Sequence, residues 1–330
     1  MAKRSAAEQL DQALQAMLAR ANSAPPPVDP ELAALLRVAA DLRELPREEF
    51  RARLKADLER KASMTTTTAP LTANYVPPGF HSITPYLIVE GAGKLLDFCR
   101  QAFDGEEKGR VPLPDGTLMH AEIAIGDSML EMGDAGGKWA PMKTALHLYV
   151  KDADATYQRA LAAGATSLYA PMDQPYGDRE GGITDPCGNS WYIATHRATG
   201  LAPGGFRSVT PGLQVRGSGG LLDFLKQAFG ADETMCERTP DGNILHAMLR
   251  IGDSVVELGE AHGPFPPLRC ALHFYVPDAD AVYARALAAG GTSIYPLTDQ
   301  AYGERSGGVE DAWGNQWYIA TYTGIVRNRP

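Results

Sequence analysis

The chain is written twice. Residues 80–196 return as residues 206–322 without a gap: Leu95-Leu96-Asp97-Phe98 as Leu221-Leu222-Asp223-Phe224, IGDSMLEMGDA from Ile125 as IGDSVVELGEA from Ile251, and GNSWYIAT from Gly188 as GNQWYIAT from Gly314. His120 and His246 stand 126 positions apart, and so do Trp191 and Trp317. A repeat held in constant register is one structural unit used twice, loops included. Whatever fold the first copy takes, the second takes as well.

The 330 residues thus divide into a helical N-terminal arm (1–63), a linker (64–79), a first domain (80–196), a second linker (197–205), a second domain (206–322) and a tail (323–330). In the arm, Leu10, Leu14, Met17 and Leu18 form one helical stripe, Pro25-Pro26-Pro27 breaks it, and Phe50, Leu54 and Leu58 recur every fourth residue in a later helix. So short an amphipathic hairpin buries little by itself. It is expected to dock on the repeats or to act as a partner-binding arm, which makes a regulatory protein one reading of the chain.

A formal net charge of −9 argues against a nucleic-acid partner, which needs a basic face. No apolar run approaches bilayer-spanning length, and Met1-Ala2-Lys3-Arg4 leads into Glu8 and Asp11 rather than an apolar stretch, so neither a membrane nor a secretory leader is expected. The four cysteines, Cys99, Cys187, Cys236 and Cys270, form no CxxC pair and share no register between copies. A duplicated disulfide or zinc framework is excluded on that ground, and free thiols suit a cytoplasmic location.

Each copy in turn runs through one order of elements twice. An extended run from Ile83 to Val89 leads into a helix near Gly93–Phe103, then strands near Glu107–Leu113, Leu118–Ile125 and Ser128–Met132, with turns at Pro114-Asp115-Gly116 and Gly126-Asp127. The order restarts with Leu146–Val150, a helix over Asp154–Ala163, and strands near Ser167–Tyr169, Gly182–Thr184 and Trp191–Ala194. The fold class is α+β, two βαβββ units per copy. Period-two alternation assigns Ala121, Ile123, Ile125, Leu130 and Met132 to the helix side and His120, Glu122, Met129 and Glu131 to the open face, with Glu122 opposite Glu131. His147, Tyr149 and Tyr192 share that face, as do His246, Arg250, Glu257, His273, Tyr275 and Tyr318 in the second copy.

Paired βαβββ units ending in Asp185-Pro186-Cys187-Gly188-Asn189-Ser190-Trp191 resemble the vicinal oxygen chelate superfamily of glyoxalases, bleomycin-resistance proteins and dioxygenases. The PYL opening at Pro85, the helix LLDFCRQAF, the stretch from Pro114 to Ala121, IGDS, and the YGDR segment from Tyr176 to Arg179 resemble its PhnB-like branch more closely. The resemblance implies tandem domains whose curved mixed sheets each enclose a pocket, and an intramolecular pseudo-dimer or a homodimer. It also implies metal ligands on the first and last strands of each unit, which fall at Thr84, Glu131, Ala145 and Tyr192, and in the second copy at Thr210, Glu257, Ala271 and Tyr318. Alanine cannot coordinate, and Thr and Tyr are poor ligands for Zn, Ni, Mn or Fe. No metal or other cofactor is therefore expected at the usual positions. A displaced divalent site of His120, Glu131 and His147 is the alternative, as is metal-free acid–base chemistry by those residues and by His246, Glu257 and His273. Ligand contacts are expected from Thr84, Tyr86, Tyr149, Tyr192, Arg179, Thr210, Arg250, Tyr275, Tyr318 and Arg305. Asp178-Arg179 and Glu304-Arg305 each read as an exposed ion pair or as a grip on an anionic ligand at the pocket mouth. The leading expectation is a small-organic-molecule binder of the sequestration or resistance type, and the runner-up a metal-dependent lyase or dioxygenase.

Overall fold

The computed structural model describes residues 75–324, apart from 201, 204, 241 and 264. The arm at 1–63, most of the linker at 64–79 and the end of the tail lie outside the described residues. In the first copy the order is β1 (Ile83–Val89), α1 (Ala92–Phe103), β2 (Glu106–Pro112), β3 (Leu118–Ile125), β4 (Ser128–Asp134), β5 (Ala145–Tyr149), α2 (Ala153–Ala162), β6 (Thr166–Asp173), β7 (Asp178–Thr184) and β8 (Ser190–His196). The second copy follows with β9 (Val209–Val215), α3 (Ser218–Phe229), β10 (Asp232–Arg238), β11 (Ile244–Ile251), β12 (Ser254–Glu260), β13 (Ala271–Tyr275), α4 (Ala279–Ala288), β14 (Thr292–Gln300), β15 (Glu304–Glu310) and β16 (Gln316–Tyr322). The alternation read from sequence holds. Ala121, Ile123, Ile125, Leu130 and Met132 are buried, and Glu122 pairs with Glu131 across the β3–β4 hairpin.

Two eight-stranded mixed sheets result, and each draws half of its strands from each copy. One runs β14-β15-β16-β13-β1-β4-β3-β2 and the other β10-β11-β12-β9-β5-β8-β7-β6. The junctions are antiparallel, with Thr84 opposite His273 in the first sheet and His147 opposite Thr210 in the second. The apolar cores follow the opposite rule. Leu95, Phe98, Phe103, Leu130, Leu146 and Trp191 cluster within the first copy, and Leu221, Phe224, Phe229, Val256, Leu272 and Trp317 within the second. Each copy builds its own core, save that Val209 joins the first and Ile83 the second; each sheet is shared.

Repeated motifs account for much of this architecture. The Gly-Asp-Ser turn of one copy clasps the entry strand of the other. Ser82 N–H donates to Asp253 Oδ1 (2.8 Å) and Ile83 N–H to Ser254 Oγ (3.0 Å), while Ser208 N–H donates to Asp127 Oδ1 (2.7 Å) and Val209 N–H to Ser128 Oγ (2.9 Å). These bonds satisfy backbone donors that the strand ends leave open. In the Asp-Pro-Cys-Gly-Asn segment, Asp185 accepts from Trp191 Nε1 (2.9 Å), from Asn189 Nδ2 (2.9 Å) and from the Cys187 and Asn189 N–H groups (2.8 and 3.0 Å). Buried polar groups satisfied so fully hold a turn in place. That motif is structural. Among the described residues no helix is long and apolar enough to cross a membrane.

Candidate functional site

The shared sheets regroup the side chains. His147 and Glu131 belong to different sheets, so the expected His120–Glu131–His147 set does not form. Glu131 meets His273 instead, with Nδ1 at 3.0 Å from Oε2, and His147 meets Glu257, with Nδ1 at 3.3 Å from both oxygens. The physical reason is the junction pairing: β5 hydrogen-bonds to β9, not to β1. For the same reason the four positions of the implied metal site regroup as Thr84, Glu131, Ala271 and Tyr318 in one sheet and Thr210, Glu257, Ala145 and Tyr192 in the other.

Both sites hold a buried histidine between two carboxylates. In the second sheet, His147 Nε2 lies 3.3 Å from Glu180 Oε2, at ion-pair distance though off hydrogen-bond alignment. His246 Nε2 lies 3.2 Å from Glu257 Oε1. Burial works against a charge on His147, but Glu257 and Glu180 together outweigh it and push the imidazole up to about 10. Burial likewise works against the charge on Glu257, yet His147 and His246 hold this carboxyl down at about 2. In the first sheet, His273 lies between Glu131 and Glu304 (3.0 and 3.2 Å) and is pushed up to about 10 by the same balance of burial against carboxylates. Glu180 and Glu304 are not repeat equivalents: Glu180 matches Ser306 and Glu304 matches Asp178. The acid has moved two residues along its strand, which keeps it on the same face.

Around the second-sheet group lies a cavity of about 550 Å³, lined by Tyr149, Tyr169, Tyr176, Tyr192, Phe206 and Phe265 above His147, Glu180, Glu257 and His246. In the first sheet aromatic and apolar side chains cluster at the corresponding place. Tyr86 packs edge-on to Tyr318 (5.5 Å between ring centres), Trp139 does the same (5.6 Å), and Ile88 and Met142 complete an apolar cluster. Tyr86 has Gly212 as its equivalent, and Ile88 has Gln214.

Tyr149 and Tyr192 line the cavity, and Tyr149 donates to Asp178 Oδ2 (2.8 Å). Tyr275 donates to Glu304 Oε1 (2.9 Å), and Tyr318 to Gln316 Oε1 (2.8 Å). Thr84 and Thr210 are buried, and Thr210 does not reach the cavity. The arginines take the exposed ion-pair reading, but with partners other than the acids beside them. Arg179 pairs with Asp154 (2.6 Å) and Asp173 (3.3 Å), and Arg305 with Asp280 (2.6 Å) and Asp299 (3.2 Å), because alternation in β7 and β15 turns them away from the acids beside them. Arg250 is exposed at an edge of the β11 register and does not line the cavity either. Sequence reading missed Asp178, Glu180 and Glu304 as site residues. The signal was there: Asp178 and Glu180 alternate with Arg179 as strand residues do, whereas a loop was expected.

The implied metal does not fit these donors. Ala271 and Ala145 offer none, Tyr318 donates its hydroxyl to Gln316, and Glu257 is flanked by two histidines. A different trio, His120, Glu122 and Glu131, has ligand atoms within 4.8 Å of one another. In the other sheet Met248 stands where Glu122 does.

A profile of the Glyoxalase/Bleomycin resistance protein/Dioxygenase superfamily matches residues 79–193 and 211–319. An uncharacterized protein of Mycobacterium bovis is 42% identical over 123 residues, 34% of this chain and 81% of its own length. A similar protein of Mycobacterium tuberculosis shows the same identity over 72% of its length. Glyoxalase I from Zea mays superposes with a TM-score of 0.55 at 15% identity, covering 73% of this chain and 92% of the maize chain. At that identity the likeness is one of fold.

Proposed function

Because the chain belongs to the Glyoxalase/Bleomycin resistance protein/Dioxygenase superfamily, we propose that it binds a small organic molecule in the second-sheet cavity and holds it without a resident metal at the superfamily's usual positions. The observation that carries this reading is the pairing of an open, aromatic-lined space with ionisable groups locked to one another. A general base is most effective near the working pH. Glu257, held at about 2, is a weak base, and His147, carrying its proton up to about 10, is a weak acid near neutrality. Sequestration asks only for shape and contact; catalysis asks for groups free to exchange protons. The finer resemblance to the PhnB-like branch and a cytoplasmic setting are part of this proposal and rest on sequence motifs and thiol usage.

The test is native mass spectrometry of the full chain, purified without chelator, followed by organic extraction and metal quantification. A co-purified or added organic ligand, unaltered after incubation and bound to metal-free protein, is the expected result. Turnover of the bound molecule would sink it. His120, Glu122 and Glu131 favour one second reading, a metal-dependent lyase or dioxygenase. Stoichiometric Zn, Ni, Mn or Fe that disappears in Glu122→Gln would favour that reading.

A further inference from the structure

We propose that the second-sheet cavity takes one organic cation per chain, an ammonium group on an aromatic or apolar body, and that the first site excludes it because Tyr86 and Lys138 already stand in its place. The proposal rests on reading that cavity as a small-molecule pocket and names the class of molecule it accepts.

Charge comes first. Five carboxylates line the cavity, from Asp178, Glu180, Glu237, Glu257 and Glu260, and among the described residues neither a lysine nor an arginine does. Of the four lining histidines, His147 is committed to Glu257 and Glu180, and His196 to Asp178 (2.7 Å). An anionic ligand would enter a field of its own sign, and a cation the opposite one. Rings come second. Tyr192 lies between Tyr169 and Phe265, at 6.5 and 6.4 Å between ring centres, and such faces attract an ammonium group through their quadrupoles.

The first site shows the same wall with a cation on it. Trp139 and Tyr295 are the repeat equivalents of Phe265 and Tyr169. Lys138 Nζ lies 4.8 Å from the Trp139 ring centre and 5.2 Å from that of Tyr295. One repeat period along, the residue matching Lys138 is Pro264, which has no charge to give. Among the described residues an ammonium therefore stands on one aromatic wall and none on the other. Tyr86 fills the space beneath, and Gly212 leaves it open. Nothing in the backbone demands glycine there. A Cβ on Gly212 would meet Ala145 Cβ at 3.6 Å, an ordinary contact, and the residue is outside the left-handed region.

Isothermal titration calorimetry of the full chain with benzyltrimethylammonium, benzyl alcohol and phenylacetate tests the idea. The expected result is one benzyltrimethylammonium bound per chain, about ten-fold tighter than either of the others. Gly212→Tyr should abolish it, and Tyr86→Gly with Lys138→Pro should raise the count to two. Benzyl alcohol or phenylacetate binding equally well, and lost in Gly212→Tyr, would overturn the charge class and leave the pocket reading standing. Two cations per wild-type chain, binding unchanged in Gly212→Tyr, or no binding of the cation at millimolar concentration would each overturn the proposal. The search for a co-purified ligand decides the pocket reading independently.

Discussion

His147 and Glu257 are 110 residues apart in the chain and 3.3 Å apart in the fold, one from each copy. The second-sheet site is thus completed only when the two copies meet. In the first sheet, Glu131 and His273 make the reciprocal contact across 142 residues.

A chain holding a single copy, residues 75–200, is accordingly expected to run as a dimer. Its β1 edge seeks a β5-type strand, and the partner copy supplies one in the same register that β1 uses with β13. Sedimentation equilibrium checks this; a stable monomer would mean that a copy can close its two units on each other.

Removing His147 leaves Glu257 and Glu180 facing each other without their shared counter-ion. Truncating one member of a buried ion pair typically costs about 3–5 kcal/mol. His147→Ala should lower the melting temperature by roughly 6–20 °C, taking about 2–4 °C per kcal/mol for a chain of this size. Differential scanning calorimetry reads the shift, and a change under about 2 °C would deny that the pair is buried and tight.

The same contact predicts how stability follows pH. His147 rises from its ordinary 6.5 to about 10 in the fold. Its contribution is full below about 6.5 and disappears as pH climbs through about 10. Glu257 falls from 4.5 to about 2, so its contribution is full above about 4.5 and disappears as pH falls through about 2. Stability should therefore level off between about pH 4.5 and 6.5 and decline toward pH 10. Urea denaturation across pH checks the shape. His147→Ala should weaken the alkaline decline, with His273 still supplying its share.

The displaced acid offers a rescue experiment. Glu180→Ser should cost about 1–3 kcal/mol by leaving His147 with one carboxylate and taking the acceptor from the Tyr169 and Tyr176 hydroxyls. Adding Asp178→Glu recreates the Glu304–Ser306 order of the other sheet and should recover at least half of that loss. A double variant no better than the single one would show that the carboxylate must sit at 180.

Much of this architecture was legible in the sequence. Alternation assigned the faces of β3, β4, β5 and β8, and the turn at Gly126-Asp127 set Glu122 opposite Glu131. The partner of β1 was not legible. β5 and β13 read Ala-Leu-His-Leu-Tyr and Ala-Leu-His-Phe-Tyr, so either can present the same backbone edge and the same histidine to β1. Local pattern cannot separate two near-identical partners; only the three-dimensional path of the chain does. Arg179 was misread for a simpler reason. Asp178 is its neighbour in sequence, but a strand sends adjacent side chains to opposite faces.

Shared sheets also decide what the covalent link between the copies makes possible. Two separate single-copy chains related by a two-fold axis would carry any substitution in both of their sites. Tyr86 would then plug both or neither. Tethered in one polypeptide, each half-site is encoded once and drifts alone, so a half bearing Tyr86 and a half bearing Gly212 can be inherited together. Symmetry is given up, and a molecule with two unlike halves is what that loss permits.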